Sequence, residues 1–301
     1  MHGVVTRSQS GFYTVVTENS SIVCQLRGRL KKGQRVGDVI AVGDKVEFSI
    51  LDERTGVIEE VLPRKSLFAR MDPMPRGVYQ QILIANPDQA VFVFACAEPE
   101  PHLGMLDRFL VIAESQHIPA VVVANKTDLV RMADARELFG HYSGLGYSLV
   151  YTSAQSGKGV HQLKKILNKR ISLLTGPSGA GKSTLLNRIQ PDLDITVREV
   201  SQVTSKGRHT TVVREMYALD GGGYVADTPG LKALAFFDVE PVEMDGYFPE
   251  MRNLVENCLF NDCTHIHEPG CAVIEAIEKG KIHPSRYNSY LRMRLGDEGL
   301  A

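Results

Sequence analysis

The sequence predicts a doubly wound α/β domain that follows a small all-β barrel and precedes an α-rich, cysteine-bearing module. Three observations support this organisation. Short alternating segments fill roughly the first 65 residues, apolar segments alternate with amphipathic ones from about residue 80, and the chain becomes polar and irregular after about residue 237. We therefore place three domains at residues 1–66, 67–236 and 237–301, which suits a chain of 301 residues.

The first domain has the period-two alternation of half-buried strands. Its alternating segments, with glycines between them, are residues 11–16, 21–26, 44–48 and 56–61. This regular spacing indicates a small antiparallel barrel. A five-stranded barrel of the oligonucleotide-binding (OB) type fits, although periodicity alone does not distinguish it from other small β-barrels.

The second domain alternates buried strands with helices. Its apolar segments are residues 90–95, 119–124, 148–151 and 170–174, and amphipathic segments at 106–116 and 160–167 lie between them. Continuous apolar strands are typical of a parallel sheet that helices cover on both faces.

Composition restricts the class of protein. The chain is 43% hydrophobic and 23% charged, with a formal net charge of -1, which argues against a uniformly basic nucleic-acid binder. Two basic runs without an acidic residue remain as local phosphate-binding candidates, with solvated surface as the alternative interpretation. They are Arg27, Arg29, Lys31, Lys32 and Arg35, and Lys281, Arg286, Arg292 and Arg294.

Neither a membrane span nor a secretion signal is recognisable. No apolar run approaches the ~20 residues that cross a bilayer, and the N-terminus lacks a charged region followed by an apolar block. We expect a cytoplasmic protein that does not bind membranes. The five cysteines fit a reducing compartment, where clustered thiols hold metal more readily than they form disulfides.

A phosphate-binding loop lies between an apparent strand and an apparent helix. It consists of Gly176, Pro177, Ser178, Gly179, Ala180, Gly181, Lys182, Ser183 and Thr184. The glycines let backbone N–H groups surround the phosphates, Lys182 neutralises the terminal ones during catalysis, and the Ser183 hydroxyl can bind magnesium. This P-loop indicates a nucleoside triphosphate without specifying the base.

A second loop indicates that the base is guanine. It consists of Asn125, Lys126, Thr127 and Asp128, directly after an apolar segment. Asp128 can accept two hydrogen bonds from guanine, whereas adenine would leave this carboxylate unpaired. We expect Lys126 to pack along the base and Asn125 to connect this loop to the phosphate loop. The next strand ends in Ser153 and Ala154, whose small side chains let a backbone N–H approach the guanine oxygen.

A third element senses the γ-phosphate. Asp227 ends an apparent strand and would hold magnesium through water, while the Gly230 N–H would contact the γ-phosphate. Between this element and the P-loop, residues 205–211 offer a threonine hydroxyl to complete the magnesium shell. We favour Thr211 over Thr210.

The order of these motifs is circularly permuted. In Ras-like GTPases the phosphate loop precedes the guanine-reading loops, whereas here residues 125–128 precede residues 176–184. A permutation at an exposed loop preserves the packing of the sheet. The segment after Gly230 then leads directly into the C-terminal domain, where it can transmit the state of the nucleotide.

Catalysis departs from the Ras pattern. Leu231 occupies the position at which Ras-like enzymes have a glutamine that orients the attacking water. Intrinsic turnover is therefore expected to be slow. His209 is the nearest residue that can orient water, and an exposed loop histidine is the alternative interpretation.

A metal site is predicted near the C-terminus. Cys258, Cys263, His265 and Cys271 supply three thiolates and one imidazole, which suit a closed structural zinc site. His267 is the alternative nitrogen ligand. Loss of metal is expected to unfold a module with so few apolar residues.

A permuted GTPase between a small β-barrel and a Cys-x4-Cys-x-His-x5-Cys module resembles the ribosome small-subunit-dependent GTPase A (RsgA) family over nearly the whole chain. Residues 207–211 and 227–231 resemble that family's switch segments. From the motifs we expect GTP and GDP to bind with magnesium, and we expect a monomer. The resemblance implies that all three domains contact the small ribosomal subunit, with the basic runs as rRNA contacts, and that the protein acts in late subunit maturation. It also implies subunit-stimulated hydrolysis and a catalytic role for His209.

Two other functions compete with this one. Permuted GTPases that act on the large ribosomal subunit generally lack this pair of flanking domains. An RNA-binding module with a purely structural nucleotide fits the missing glutamine, but a complete magnesium-binding set argues against it.

Overall fold

A computed structural model describes residues 1–18, 20–31, 38–71, 80–193, 195, 214–227 and 239–296. Its N-terminal strands are β1 (His2–Gln9), β2 (Phe12–Val16), β3 (Ser21–Leu26), β4 (Lys45–Ile50) and β5 (Thr55–Val61). They pair in the order β1-β2-β3-β5-β4, and β4 also pairs with β1, which closes a barrel. Alternate side chains such as Val46 and Phe48 point into its core. The predicted OB-type barrel is confirmed, except that β3 and β5 pair in parallel, so the barrel is not antiparallel throughout.

A hairpin of β6 (Leu67–Met71) and β7 (Gln80–Ala85) connects the barrel to the next domain. A buried ion pair lies at this connection. The Asp44 carboxylate, which precedes β4, accepts two 2.7 Å hydrogen bonds from the Arg64 guanidinium and one from the Ala41 N–H. The Asp44 side chain is 0% exposed and that of Arg64 is 20% exposed, so the pair is largely removed from water.

Six further strands form the central sheet. They are β8 (Gln89–Ala95), β9 (Ala120–Asn125), β10 (Ser148–Tyr151), β11 (Arg170–Thr175), β12 (Arg214–Ala218) and β13 (Gly223–Asp227). Their order is β10-β9-β8-β11-β13-β12, with β12 antiparallel and the others parallel. The chain runs outward from β8 to β10 and then returns to β11 on the other side of β8. The connections from the adjacent strands β8 and β11 thus run in opposite directions along the sheet. The carboxyl ends of these two strands form a topological switch point, where open α/β sheets bind ligands.

Four helices cover the sheet. They are α1 (Leu103–Ser115), α2 (Met132–Gly144), α3 (Val160–Leu167) and α4 (Lys182–Ile189). The first two pack in one hydrophobic core, for example through Phe109 and Phe139, and the other two pack in a second core through Leu163 and Leu186. The predicted doubly wound domain is confirmed.

The C-terminal module consists of α5 (Pro249–Arg252), α6 (Ala272–Glu278), α7 (Pro284–Arg294) and short 3-10 helices at Pro241–Tyr247 and Val255–Asn257. Its hydrophobic core contains Met251, Val273 and Tyr290 together with Val111 of α1. The module therefore shares its core with a helix of the central domain.

Several elements lie outside the segments that the sequence analysis identified, among them β1, α2, the β6–β7 hairpin and β12. The β6–β7 hairpin has no clear alternation of apolar and polar residues. β12 is the last of the six strands of the central sheet and has the mixed sequence Arg-Glu-Met-Tyr-Ala. β12 also pairs with β1, placing Arg7 opposite Glu215, so it joins the barrel to the sheet. In the described part of the chain, no helix has the length and apolar character needed to cross a bilayer.

We predict that Asp44→Ala destabilises the barrel by about 2–4 kcal/mol, because the largely buried Arg64 cation loses its carboxylate partner. Among the described residues, it keeps only the carbonyls of Asp38 and Val39 as hydrogen-bond acceptors. Hydrogen exchange of the β1–β5 amides measures the change. Asp134→Ala is the matched control, since it breaks an Arg131–Asp134 pair of similar geometry on an exposed surface. Equal protection of the β1–β5 amides in both variants would contradict the prediction.

Candidate functional site

The motif-bearing loops converge at one edge of the central sheet. Because the strands are parallel, the loops after β8, β9, β10, β11 and β13 all leave at this edge. The register brings them level: Ala95 pairs with Asn125, Tyr151 with Ala124, Thr175 with Phe92, and Leu174 with Asp227. Residues 125–128, 153–154 and 176–184 therefore lie together at this edge, although they are far apart in the chain.

The P-loop turns sharply into α4. Gly181 has a φ of +87°, and a Cβ built on it would lie 2.5 Å from Asn125 Nδ2, so a side chain is excluded on two grounds. Lys182 begins the helix, and its Nζ donates to the Gly176 carbonyl at 2.8 Å and the Pro177 carbonyl at 2.9 Å. Ser183 is half-buried and Thr184 is exposed at the same helix start, where backbone N–H groups favour anions.

Asn125 joins the guanine-type loop to the P-loop. Its Nδ2 donates to the Ala180 carbonyl at 2.9 Å, and its Oδ1 accepts from the Thr152 hydroxyl at 2.9 Å. Thr127 in turn donates its hydroxyl to the Thr152 carbonyl at 3.1 Å. All these contacts are buried, so three successive loops hold one another in place.

Asp128 and Ala154 offer complementary groups at this edge of the sheet. Asp128 is exposed, and its charge adds to burial in raising the pKa of the nearby Cys96 thiol to about 11. The Ser153 N–H donates to the Lys158 carbonyl at 3.0 Å, whereas the Ala154 N–H has no acceptor among the described residues. A carboxylate acceptor and a backbone donor are what the Watson–Crick edge of guanine requires.

Sequence reasoning missed the loop between β8 and α1. Lys126 Nζ donates to the Glu98 carbonyl, and the Cys96 N–H donates to the Asn125 carbonyl at 2.8 Å. Pro99 Cδ lies 3.3 Å from a Cβ built on Gly179. Residues 96–102 thus contact both the guanine-type loop and the P-loop. Their position after the central strand β8, at the switch point, is the signal that identifies them.

The remaining predicted residues are only partly placed. Asp227 ends β13 beside Leu174 of β11, and its side chain is not described. His209, Thr210, Thr211, Gly230 and Leu231 lie outside the described residues.

The four predicted metal ligands form one cluster. Cys258, Cys263, His265 and Cys271 place one donor atom each within 4.8 Å of the others. The distance is 3.6 Å from Cys258 Sγ to His265 Nδ1, 3.3 Å from His265 Nδ1 to Cys271 Sγ, and 4.0 Å between the sulfurs of Cys258 and Cys271. His267 is exposed and does not belong to the cluster. The cluster has the donors for one metal ion.

The loop that carries His265 is fixed from outside the cluster. His265 Nε2 lies 3.4 Å from Asp245 Oδ2, an orientation that directs Nδ1 towards the thiols. The Glu268 carboxylate accepts the N–H groups of Thr264, Ile266 and His267 together with the Thr264 hydroxyl. The hydroxyls of Tyr287 and Tyr290 donate to the carbonyls of His265 and Thr264, so α7 is attached to the metal loop.

The structure corrects the interpretation of the C-terminal basic run. Arg286 is fully buried and pairs with Asp107 and Glu250, so it is neither solvated surface nor a phosphate contact. The sequence could not show this because Asp107 is 179 residues away. In the N-terminal run, Arg27 and Arg29 remain exposed but both pair with Glu59 of β5.

The chain has a P-loop and a guanine-type loop on a Ras-like sheet, and the two loops occur in the reverse of the Ras order. These features define the class of protein as a circularly permuted P-loop GTPase. Comparison with known proteins agrees and is more specific. The protein-family model for the RsgA GTPase domain matches residues 61–237. The family model for the RsgA N-terminal domain matches residues 2–58. The chain belongs to the RsgA family of GTP-hydrolysing enzymes.

Relatives match over nearly their full length. The small ribosomal subunit biogenesis GTPase RsgA of Gemmatimonas aurantiaca is 43% identical over 296 residues, which cover 97% of this chain and 96% of that protein. The protein of the same name from Caldanaerobacter subterraneus is 41% identical, with 97% and 94% covered. The crystal structure of YjeQ from Thermotoga maritima has a TM-score of 0.79 at 38% identity, covering 100% of this chain and 99% of that one. YloQ, described as a circularly permuted GTPase, has a TM-score of 0.72 at 28% identity, with 98% and 94% covered.

We predict that Gly181→Ala abolishes measurable GDP binding, because the added Cβ displaces the Asn125 amide as well as straining the backbone. Isothermal titration calorimetry measures the affinity. Gly146→Ala is the matched control: Gly146 has a φ of +91°, but nothing lies within 4 Å of its Cβ position. It should lose about 1–2 kcal/mol of stability and bind GDP normally. Normal GDP affinity in Gly181→Ala would refute the prediction.

Proposed function

We propose that this enzyme binds the small ribosomal subunit and hydrolyses GTP to GDP and phosphate during late maturation of that subunit, which stimulates the hydrolysis. The names of the relatives support the choice of subunit. The observation that carries the chemistry is the Asn125–Ala180 hydrogen bond, because it joins a base-reading loop to a phosphate-reading loop. We further propose three domains at residues 1–66, 67–236 and 237–301.

The nucleotide-binding roles follow from the placement of the loops. Asp128 accepts from the guanine N1–H and amine, and the Ala154 N–H donates to the guanine oxygen. Lys126 Nζ is fixed at the Glu98 carbonyl with its alkyl chain available to the base. P-loop N–H groups and Lys182 bind the phosphates, and Lys182 stabilises the charge that develops on the γ-phosphate during hydrolysis. The Gly230 N–H is proposed as the γ-phosphate sensor.

Magnesium completes the phosphate site. Ser183 at the start of α4 and Thr211 are proposed as its direct protein ligands, with Asp227 acting through water. His209 is proposed to orient the attacking water, since position 231 is a leucine. The slow reaction expected without a glutamine accounts for dependence on a stimulating partner.

The metal of the C-terminal cluster is proposed to be one structural zinc ion. A tetrahedral site with zinc–sulfur bonds of ~2.3 Å separates its ligands by about 3.8 Å. The observed separations of 3.3, 3.6 and 4.0 Å are close to this value. Three thiolates and one imidazole leave no ligand position for water, which argues for a structural role.

Contact with the subunit is proposed for all three domains. The closed barrel provides a surface of the type that binds oligonucleotides, and Arg27 and Arg29 are exposed on it. Lys281 and Arg292 are exposed on the module. We propose that the protein works in the cytoplasm as a monomer, without a membrane partner.

GTP turnover tests the proposed function. We expect slow hydrolysis by the protein alone and at least about tenfold faster hydrolysis with purified small subunits, since a partner that completes such a site accelerates it by orders of magnitude. Large subunits are the control. Stimulation by large subunits only, or no turnover under any condition, would refute the proposal.

Metal content tests the ligand assignment. We expect about one zinc ion per chain by elemental mass spectrometry. His265→Gln should lose it and unfold the module, because the binding energy of a structural zinc ion is folding energy. His267→Gln should retain it, since the His267 side chain is exposed. Retention in the first variant and loss in the second would reverse the assignment.

A further inference from the structure

Helix α1 contacts the nucleotide-binding loops at one end and the C-terminal module along one face. Residues 96–102 lead directly into its first turn and contact Lys126 and the P-loop. On the module side, a Cβ built on Gly104 would lie 3.9 Å from Ser289 Oγ of α7. One turn further along α1, Asp107 contacts α7 as well. The first two turns of α1 are therefore held between the nucleotide site and the module.

A buried charge network makes the contact at Asp107. Arg286 Nη1 donates to Asp107 Oδ1 at 2.8 Å, and the Tyr142 hydroxyl donates to the same oxygen at 2.7 Å. The other side of the guanidinium forms two hydrogen bonds with Glu250, at 2.7 and 3.3 Å. The side chains of Arg286 and Asp107 are both 0% exposed. Without Asp107, Arg286 would still be paired within the module through Glu250.

Aromatic rings surround this network. The Arg286 guanidinium lies 4.5 Å from the centroid of the Phe248 ring. Next to it, His141 of α2 stacks on His283 at the start of α7, with centroids 4.1 Å apart and planes 7° apart. Fixed, desolvated charges of this kind determine one docking geometry rather than a range of them.

The residues before α1 connect this helix to the guanine-type loop, residues 125–128. Residues 96–102 are bound to the guanine-type loop by two hydrogen bonds, from Lys126 Nζ to the Glu98 carbonyl and from the Cys96 N–H to the Asn125 carbonyl. Pro99 packs against Gly179 of the P-loop. Because these residues lead directly into the first turn of α1, a shift of that turn would be passed on to their contacts.

We infer that Arg286 is a positioning residue for guanine nucleotide binding. By docking α7 on Asp107 it sets the orientation of α1, and hence the β8–α1 loop that holds Lys126 and packs against the P-loop. The inference rests on the proposed function, since it takes residues 125–128 as the guanine-reading loop. This route connects the module to the base, and it is separate from the chain segment that follows Gly230.

The test breaks the contact on the α1 side, where the module keeps its own Arg286–Glu250 pair. We expect Asp107→Ala to weaken GDP affinity about tenfold, within the range usual for coupling between sites. The KM for GTP should rise by a similar factor, while kcat changes less than about twofold. The reason is that the variant weakens binding of the nucleotide equally in the ground state and in the transition state. Asp107→Asn keeps Oδ1 as an acceptor for both donors and should restore most of the affinity.

Arg252→Gln is the matched control. The Arg252–Glu114 pair joins the same module to the same helix, but it lies in the last turn of α1 and is partly exposed, with 3.2 Å between the charged atoms. We expect GDP affinity within about twofold of wild type for this variant. Metal content is measured for every variant, and it should be unchanged.

The outcomes separate the inference from the proposed function. Wild-type affinity in Asp107→Ala, or an equal loss in Asp107→Ala and Arg252→Gln, overturns the inference alone. A wild-type protein without a preference for guanine over adenine nucleotides removes the proposed function and the inference with it. If Asp107→Ala does not fold, the neutral triple variant Asp107→Asn, Glu250→Gln, Arg286→Met replaces it, because an uncharged set of similar volume is tolerated in such a place. Tight GDP binding by that variant overturns the inference.

Discussion

The nucleotide site depends on the hydrogen bond from Asn125 Nδ2 to the Ala180 carbonyl. It connects two loops that are 55 residues apart in the chain, and the Thr152 hydroxyl holds the Asn125 amide in the orientation that makes it possible. A buried bond of this kind adds only about 1 kcal/mol to stability. Its larger effect is geometric, because it fixes the distance between the group that reads the base and the groups that read the phosphates.

Circular permutation leaves this geometry intact and changes what is attached to it. The parallel strands bring their carboxyl ends to one edge whatever their order in the chain. The C-terminal module then packs on α1, with Val111 in its core and Arg286 paired to Asp107. The loop that carries the metal ligand His265 is joined to the same interface through Tyr287 and Tyr290 of α7. The module is thus packed directly on the helix that leads away from the nucleotide-binding loops.

Local chemistry was predictable from the sequence, and long-range packing was not. The barrel, the sheet and the Cys3His cluster follow from alternation, apolar runs and ligand spacing. The β8–α1 loop carries no motif, since Glu98 acts through its backbone carbonyl and Pro99 through its shape. Arg286 looked like a surface cation because its partners Asp107 and Glu250 belong to distant helices. Near Arg27, the sequence did not show the pairing with Glu59, which reaches Arg27 across a strand pair.

The central claim is that these loops bind one guanine nucleotide, with Asp128 reading its base. The most direct test is a calorimetric titration of Asp128→Asn with guanosine and xanthosine diphosphates. An asparagine amide donates where the carboxylate accepted, so it suits the second carbonyl of xanthine rather than the amine of guanine. We expect GDP affinity to fall about ten- to a hundredfold, because the bond from the guanine amine, worth about 1.5–3 kcal/mol, is lost while the asparagine Oδ1 still accepts from N1–H. Xanthosine diphosphate affinity should rise. An unchanged preference for guanine would contradict the account.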